Sequence, residues 1–199
     1  MHRTAPPPRS TSRRRRGALA AVLAVVAAAA VGTVLAQSAA SSSLPWSTPT
    51  EADGVLPEGV TVFDDAYPGV ANLDPALLEA LRSAATDASA EGIEFLVNSG
   101  WRSAAYQDDL LRDAVAEYGS AAEAARWVAT AETSPHVQGD AVDLGPFDAT
   151  YWLSQFGAAY GLCQVYANES WHYELRPDAV AAGCPAAYPD PTSDPRMQP

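Results

Sequence analysis

His136 and Asp143 lie seven positions apart in a short segment of the chain, and this spacing limits how that segment can fold. On one continuous helix the two residues would be separated by about 10 Å along the axis. For both side chains to act at one point the segment has to fold back. Gly139 suits such a turn, because glycine accepts backbone angles that other residues avoid. After the turn, residues 141–144 alternate as in a strand, so that Asp143 faces away from its two apolar neighbours.

A second histidine stands between two carboxylates, in Glu169-Ser-Trp-His-Tyr-Glu174. An extended segment here lets His172 and Asp143 point to a common place. Two histidines and one carboxylate are the usual ligands of a catalytic zinc ion, whose fourth position is left for water. His136, Asp143 and His172 are therefore the predicted metal ligands. Glu169 is the preferred general base, because a nearby carboxylate can take a proton from water and return it to a leaving amine. Glu174 is the alternative base, or a hydrogen-bond partner for a histidine.

Arg102 follows a predicted strand and a glycine, a position from which side chains reach into clefts. A guanidinium can hold a carboxylate through two hydrogen bonds or stabilise a developing oxyanion. The alternative is an ion pair at the surface. The part of the chain after residue 37 has six arginines, no lysine and all 24 acidic residues, a formal charge of −18. This charge argues against nucleic acid as a partner, because phosphate contacts need a positive face.

The N-terminal part combines a basic run with an apolar segment. Arg13–Arg16 is followed by uncharged residues at 17–36, a length that fits a bilayer span. The block also resembles a secretory signal. In either case the remainder of the chain is predicted to be exported. The predicted bounds are a cytoplasmic tail at 1–16, an anchor or signal at 17–36, a flexible linker at 37–60, one domain at 61–185 and a Pro-rich surface tail at 186–199.

Capping residues and apolar periodicity predict an α+β fold, in which a small antiparallel sheet is flanked by helices. The predicted helices begin at Asp74, Ser103, Ser120 and Asp148, and the last of them ends near Gly161. The predicted strands are residues 93–97, 141–144, 163–166 and 171–175. In the last strand, Trp171 and Tyr173 are expected to pack on one face while His172 emerges on the other.

Cys163 and Cys184 are the two cysteines, and both lie in the part predicted to be exported. In an oxidising compartment we expect them to form a disulfide. Closing that loop would stabilise the fold by about 3 kcal/mol on the chain-entropy model. Zinc ligation by the cysteines is the weaker alternative, because no CxxC pair is present.

Together these segments resemble the zinc D-Ala-D-Ala carboxypeptidase family, which includes vancomycin-resistance D,D-carboxypeptidases and dipeptidases. The family motif SxHxxGxAxD is filled by Ser134, His136, Gly139, Ala141 and Asp143, and the motif ExxH by Glu169 and His172. A third motif, SG(Y/W)RS with YQ downstream, corresponds to Ser99–Ser103 and Tyr106-Gln107. The resemblance covers residues 73–177. Gln138 and Asp140 depart from the pattern beside the ligands.

The resemblance implies the small single-domain α+β fold that this family shares with the Hedgehog signalling domain. It implies that zinc is bound by the three predicted ligands and that Glu169 is the catalytic base. Arg102 would stabilise the substrate carbonyl or bind the substrate carboxylate, with Ser134 and Gln107 lining the pocket.

The predicted protein is therefore a monomeric, extracytoplasmic zinc peptidase that removes D-alanine from peptidoglycan stem peptides, held at the membrane by its N-terminal segment or secreted. Two alternatives act on the same wall, an L,D-carboxypeptidase and an endopeptidase. A third is a zinc-stabilised wall-binding module without turnover, which the retention of Glu169 disfavours.

Overall fold

A four-stranded antiparallel sheet in the order β1-β2-β4-β3 organises the fold. Its strands are β1 (Leu96–Ser99), β2 (Ala141–Gly145), β3 (Leu162–Gln164) and β4 (His172–Leu175). The structure, a computed structural model, describes residues 48–198. The predicted cytoplasmic tail, the apolar segment and most of the predicted linker lie outside the described residues. Within residues 48–198, no helix has the length and apolar character needed to cross a membrane.

Helices pack on the sheet or connect its strands. They are α1 (Pro68–Ala71), α2 (Pro75–Ser89), α3 (Ala104–Tyr118), α4 (Ala121–Ala124), α5 (Pro135–Gln138), α6 (Phe147–Phe156) and α7 (Ala179–Ala182). Short 3-10 turns lie at Glu51–Asp53, Gly157–Tyr160, Pro191–Ser193 and Pro195–Met197. This combination of helices with one small antiparallel sheet confirms the predicted α+β class.

Helix α2 supplies one side of the core. The Asp74 carboxylate accepts hydrogen bonds from the first backbone N–H groups of the helix at 2.9 and 3.0 Å, so the predicted N-cap is present. The buried residues of α2 recur at helical spacing: Leu77, Leu81, Ala84, Ala85 and Ala88. They belong to the same apolar cluster as Val142, Leu144 and Tyr173 of the sheet. Since side chains alternate along a strand, Asp143 and His172 are directed to the opposite face.

The folded unit extends beyond the predicted bounds of 61–185, since it begins at Thr48. Val60, at the end of the predicted linker, is buried, and its carbonyl accepts a hydrogen bond from the Val97 N–H at 2.8 Å. At the other end, Tyr188 forms a parallel β-bridge and Asp194 is fully buried. The composition of residues 186–199 indicated an irregular surface tail, but composition does not report contacts with residues distant in sequence, and such contacts hold this segment.

Local differences from the predicted elements have simple causes. The helix predicted to run from Asp148 to Gly161 is α6, which ends at Phe156 and continues as a 3-10 turn. Gly157 stands where a Cβ atom would lie 2.6 Å from the Leu162 carbonyl oxygen, so close packing against β3 requires glycine there. The first strand is formed at 96–99 rather than 93–97, because its pairing with β2 begins at Leu96.

The predicted disulfide is present. Cys163 on β3 is bonded to Cys184, with the two Cα atoms 5.6 Å apart. It joins the segment after α7 to the sheet, and it leaves no free cysteine among the described residues that could bind a metal.

Candidate metal centre and active site

His136 lies in the one-turn helix α5, and the chain turns back directly after it. Gly139 has a φ of +82°, and a Cβ atom on it would lie 2.5 Å from the Asn72 carbonyl oxygen. Both the backbone angle and the close approach require glycine, as the spacing of His136 and Asp143 suggested. The turn leads into β2, where Asp143 is the third residue.

Asp143 and His172 are direct cross-strand neighbours in the antiparallel pairing of β2 with β4. Directly opposed residues on one sheet face have their side chains close together. The sheet register thus brings together two residues that are 29 positions apart in sequence, and the Gly139 turn brings His136 to the same place.

Three ligand atoms form a compact triangle. The His136 Nε2 and His172 Nδ1 atoms are 3.3 Å apart, and the Asp143 Oδ1 atom lies 3.4 Å from the first and 3.2 Å from the second. Atoms that bind one zinc ion tetrahedrally at about 2.0–2.1 Å are about 3.3 Å from one another. The triangle therefore has the size that a tetrahedral ion requires.

The remaining polar atoms of these side chains are all engaged with protein groups. His136 Nδ1 lies 2.9 Å from the Gly100 carbonyl oxygen, which fixes the proton on Nδ1 and leaves the Nε2 lone pair free. His172 Nε2 lies 3.2 Å from Glu174 Oε1, which leaves the Nδ1 lone pair free in the same way. Asp143 Oδ2 accepts a hydrogen bond from Arg102 at 2.8 Å. Such outer contacts orient metal ligands and set their tautomers.

The electrostatics of the cluster favour a positive charge at its centre. Burial and the Arg102 charge lower the pKa of His136. Burial alone would raise the pKa of Asp143, but the histidines and Arg102 outweigh burial and hold it well below its usual range. Burial alone would lower the pKa of His172. Hydrogen bonds to Asp143 and Glu174 outweigh burial and raise this pKa to about 9. A divalent cation bound here would neutralise the charge of the same carboxylates that a proton on His172 neutralises.

Glu169 lies beside this cluster on the turn that precedes β4. Its Oε2 atom is 3.8 Å from His172 Nδ1, while its buried Oε1 atom has no hydrogen-bond partner among the described residues. Burial raises the pKa of Glu169 to about 7. A carboxylate with a free oxygen and a pKa near neutrality has the properties of a general acid–base group.

Arg102 is held by three directed hydrogen bonds. They run from Nε to Ser99 Oγ at 2.7 Å, from NH1 to Gln107 Oε1 at 3.2 Å and from NH2 to Asp143 Oδ2 at 2.8 Å. Gln107 also donates from its amide nitrogen to the Ala129 carbonyl oxygen at 2.9 Å. The oxygen and the nitrogen of the Gln107 amide thus both form hydrogen bonds within the protein, and the oxygen helps to hold Arg102 in place. Three of the five guanidinium N–H groups are used, so two are available to a ligand.

All seven predicted site residues line one cavity of about 310 Å³. Ser134 is among them, and its buried hydroxyl has no partner in the described part of the chain. The other residues of the wall, which the sequence did not suggest, are Leu110, Tyr118, Trp127, Val128, Ala129, Pro135, Tyr166, Trp171, Pro191 and Met197. They come from separate segments and carry no common sequence pattern, so only the tertiary fold identifies them.

Comparisons with known proteins point to one family. A model of the VanY D-alanyl-D-alanine carboxypeptidase family matches residues 70–178, more than half of the chain. A curated D-alanyl-D-alanine carboxypeptidase of Enterococcus faecalis is 31% identical over 111 residues, a match covering 43% of this chain and 41% of that protein. The chain therefore spans less than half the length of this relative.

Solved structures agree on the fold. VanYB in complex with D-alanine-D-alanine matches with a TM-score of 0.51 and 26% identity, covering 56% of this chain and 74% of that one. The LdcB LD-carboxypeptidase, whose structure concerns peptidoglycan recognition, matches with a TM-score of 0.52 and 21% identity, covering 70% and 73%. The second likeness concerns the fold alone. Since the family match extends over the three residues of the cluster and over Glu169, the chain belongs to the VanY D-alanyl-D-alanine carboxypeptidase family.

Proposed function

We propose that this protein is an extracytoplasmic, zinc-dependent carboxypeptidase that removes the C-terminal D-alanine from peptidoglycan stem peptides. The observation that carries the proposal is a single cavity holding a triangle of metal-ligand atoms, a buried carboxylate with a free oxygen, and a fixed guanidinium. Membership of the VanY family and the D-alanine-D-alanine bound by VanYB support the same reaction.

His136, Asp143 and His172 would hold the zinc ion. Two imidazoles and one carboxylate are a donor set of catalytic zinc sites, and the distances of 3.2–3.4 Å between the donor atoms fit that ion. Bound there, zinc would polarise the scissile carbonyl and lower the pKa of a water molecule.

Glu169 would serve as the base and then as the acid. Its free Oε1 atom would take a proton from the attacking water as the new C–O bond forms. The same proton would pass to the amide nitrogen as the C–N bond breaks, which releases D-alanine and leaves a shortened peptide with a new carboxyl group, whose remaining proton is lost to solvent. The raised pKa of Glu169, about 7, supports proton transfer in both directions near neutral pH.

Arg102 favours an exopeptidase over an endopeptidase. It is the one arginine among the described residues that line the cavity, and two of its N–H groups are available. An exopeptidase substrate brings a terminal carboxylate into the site, whereas an internal peptide bond does not. The chain after residue 37 has a formal charge of −18, so a substrate carboxylate needs a positive charge close to it. Arg102 would supply this charge either to the carboxylate or to the reacting carbonyl oxygen. Ser134 would complete the contact with its unpartnered hydroxyl.

The test is incubation of the full-length protein with three muropeptides: one ending in D-Ala-D-Ala, one ending in a single D-alanine, and one cross-linked dimer. Products are identified by mass spectrometry, with and without chelator and after zinc is restored. We expect loss of one alanine from the first substrate, suppressed by chelator and recovered with zinc. A Glu169→Gln variant, which retains the three ligands, serves as the control for contaminating peptidases.

Each other outcome contradicts the proposal in a recognisable way. Cleavage confined to the substrate ending in a single D-alanine would make the protein an L,D-carboxypeptidase, and opening of the dimer would make it an endopeptidase. Zinc binding without cleavage of any substrate would make it a binding module.

A further inference from the structure

The C-terminal residues 188–198, here called the strap, reach the metal centre although they lie outside the segment matched by the family model. The Tyr188 N–H donates to the Val165 carbonyl oxygen at 2.9 Å, so the strap begins beside the chain that follows β3. Arg126 Nε donates to Asp190 Oδ2 at 3.0 Å and ties its middle. Pro191 and Met197 of the strap line the same cavity as the predicted ligands.

Arg196 is the strap residue that contacts Glu174, the hydrogen-bond partner of the predicted ligand His172. Its NH1 and NH2 groups donate to Glu174 Oε2 and Oε1 at 2.7 and 3.1 Å, which is a two-pronged contact. Glu174 is only 1% exposed, and its Oε1 atom is the partner of His172 Nε2. A buried carboxylate is stable only when it is paired, so the orientation of Glu174 depends on its arginine partners.

A second connection runs through Asp194, which is fully buried. Asp194 accepts hydrogen bonds from Arg196 Nε at 3.1 Å and from the Tyr166 hydroxyl at 3.1 Å. The Tyr166 ring packs on the His172 ring, with centroids 4.9 Å apart. The strap therefore contacts the surroundings of His172 at two points, its hydrogen-bond acceptor and its ring face.

We propose that Arg196 is a positioning residue for the metal centre, acting through Glu174 to fix the tautomer and orientation of His172. The proposal rests on the proposed function in that it takes His172 to be a metal ligand. Without Arg196, Glu174 keeps one arginine, Arg176, whose NH2 group lies 2.9 Å from Oε2, and Oε1 keeps only its contact with His172. His172 Nδ1 would then present its lone pair less rigidly. Loss of the partner that contacts a ligand directly typically lowers metal affinity by about 10- to 100-fold, and Arg196, one contact further out, should act near the lower end of that range.

The test measures zinc binding directly, by titrating zinc alone into metal-free, full-length protein in the presence of a chromophoric chelator. Arg196→Ala is expected to weaken zinc binding by about tenfold, the lower end of the range for direct partners of a ligand, and Arg196→Lys to recover part of the loss. Arg126→Ala is the matched control, because it removes an arginine that ties the same strap without contacting Glu174. It should bind zinc within about twofold of the parent protein, since distant sites act independently.

A double-mutant cycle keeps the test decisive if Arg196→Ala also loosens the fold. If Arg196 acts through Glu174, adding Arg196→Ala to Glu174→Gln should cost little further zinc affinity. Additive losses, equal zinc binding by Arg196→Ala and the parent, or an equal loss in Arg126→Ala would each overturn the role of Arg196. Failure of the proposed function appears separately, as intact zinc binding in the parent protein without hydrolysis of any muropeptide.

Discussion

Gly139 lies in the turn between His136 and Asp143. Adding one methyl group at this position tests whether the turn sets the geometry of the candidate metal centre. Gly139→Ala places an L residue at a φ of +82°, which costs about 1–2 kcal/mol in backbone energy. The added Cβ would also lie 2.5 Å from the Asn72 carbonyl oxygen, so the backbone of one segment has to move. The Gly139 carbonyl accepts a hydrogen bond from the Asp74 N–H at 2.9 Å, and this bond would be disturbed as well.

Gly119→Ala is the matched control. Gly119 ends α3 with a φ of +79°, and a Cβ atom on it would meet nothing within 4 Å. The control therefore carries the backbone cost of about 1–2 kcal/mol without a collision. Overpacking adds about 1–3 kcal/mol, so Gly139→Ala should be less stable than the control by that amount. Because the displaced turn carries His136, zinc affinity should also fall at least about tenfold, the order expected when ligand orientation is disturbed, and Gly119→Ala should not change it.

Two measurements check this expectation. Urea unfolding of the chelator-treated proteins gives the free energy of unfolding, and zinc titration against a competing chelator gives the affinity. Equal destabilisation of the two variants together with equal zinc affinity would refute the claim that the glycine turn sets the ligand geometry.

Three further outcomes are expected. Glu169→Gln should bind zinc normally but lower kcat by about 10²–10⁴-fold, as measured on a substrate ending in D-Ala-D-Ala; wild-type kcat with full zinc loading would contradict its role as the base. Arg102→Lys should lower kcat/KM by about 10²-fold, because an ammonium group cannot reproduce the three directed bonds of the guanidinium; an unchanged value would remove Arg102 from the site. Replacing Cys163 and Cys184 by alanine should lower the free energy of unfolding by about 3 kcal/mol, given a loop of 21 residues; an unchanged urea midpoint would contradict this.

The sheet face that carries Asp143 and His172, two of the predicted ligands, could be predicted because alternation in a strand is a local property. Val142 and Leu144 enter the core and Asp143 faces the cavity, as the pattern of residues 141–144 indicated. The same reasoning was wrong for Trp171, which is 40% exposed and lies before β4, outside the pairing that makes side chains alternate. Alternation therefore predicts a face only where the ends of the strand are known, and those ends depend on pairing with the neighbouring strand.

The strap could not be predicted, because its contacts depend on residues far away in sequence. Arg196 meets Glu174 across 22 positions, and Arg126 meets Asp190 across 64. In the sequence these are isolated charges in Pro- and Asp-rich surroundings, a composition typical of irregular chain. Nothing local distinguishes Asp190 and Asp194, which are buried, from an exposed acid such as Asp178.

The arrangement of arginines links the acidic composition to the chemistry of the site. Of the six arginines in the described chain, three pair with carboxylates that contact His172: Arg102 with Asp143, and Arg176 and Arg196 with Glu174. Glu174 contacts His172, a predicted ligand, and its pairing with two arginines would keep its charge from competing for the ion. Asp143, a predicted ligand, pairs with one arginine through Oδ2 only, which leaves its Oδ1 atom beside the two histidine nitrogens for a divalent cation. With a cation bound there, the free N–H groups of Arg102 would be left to bind one anionic group. The carboxylate at the end of a peptide is such a group.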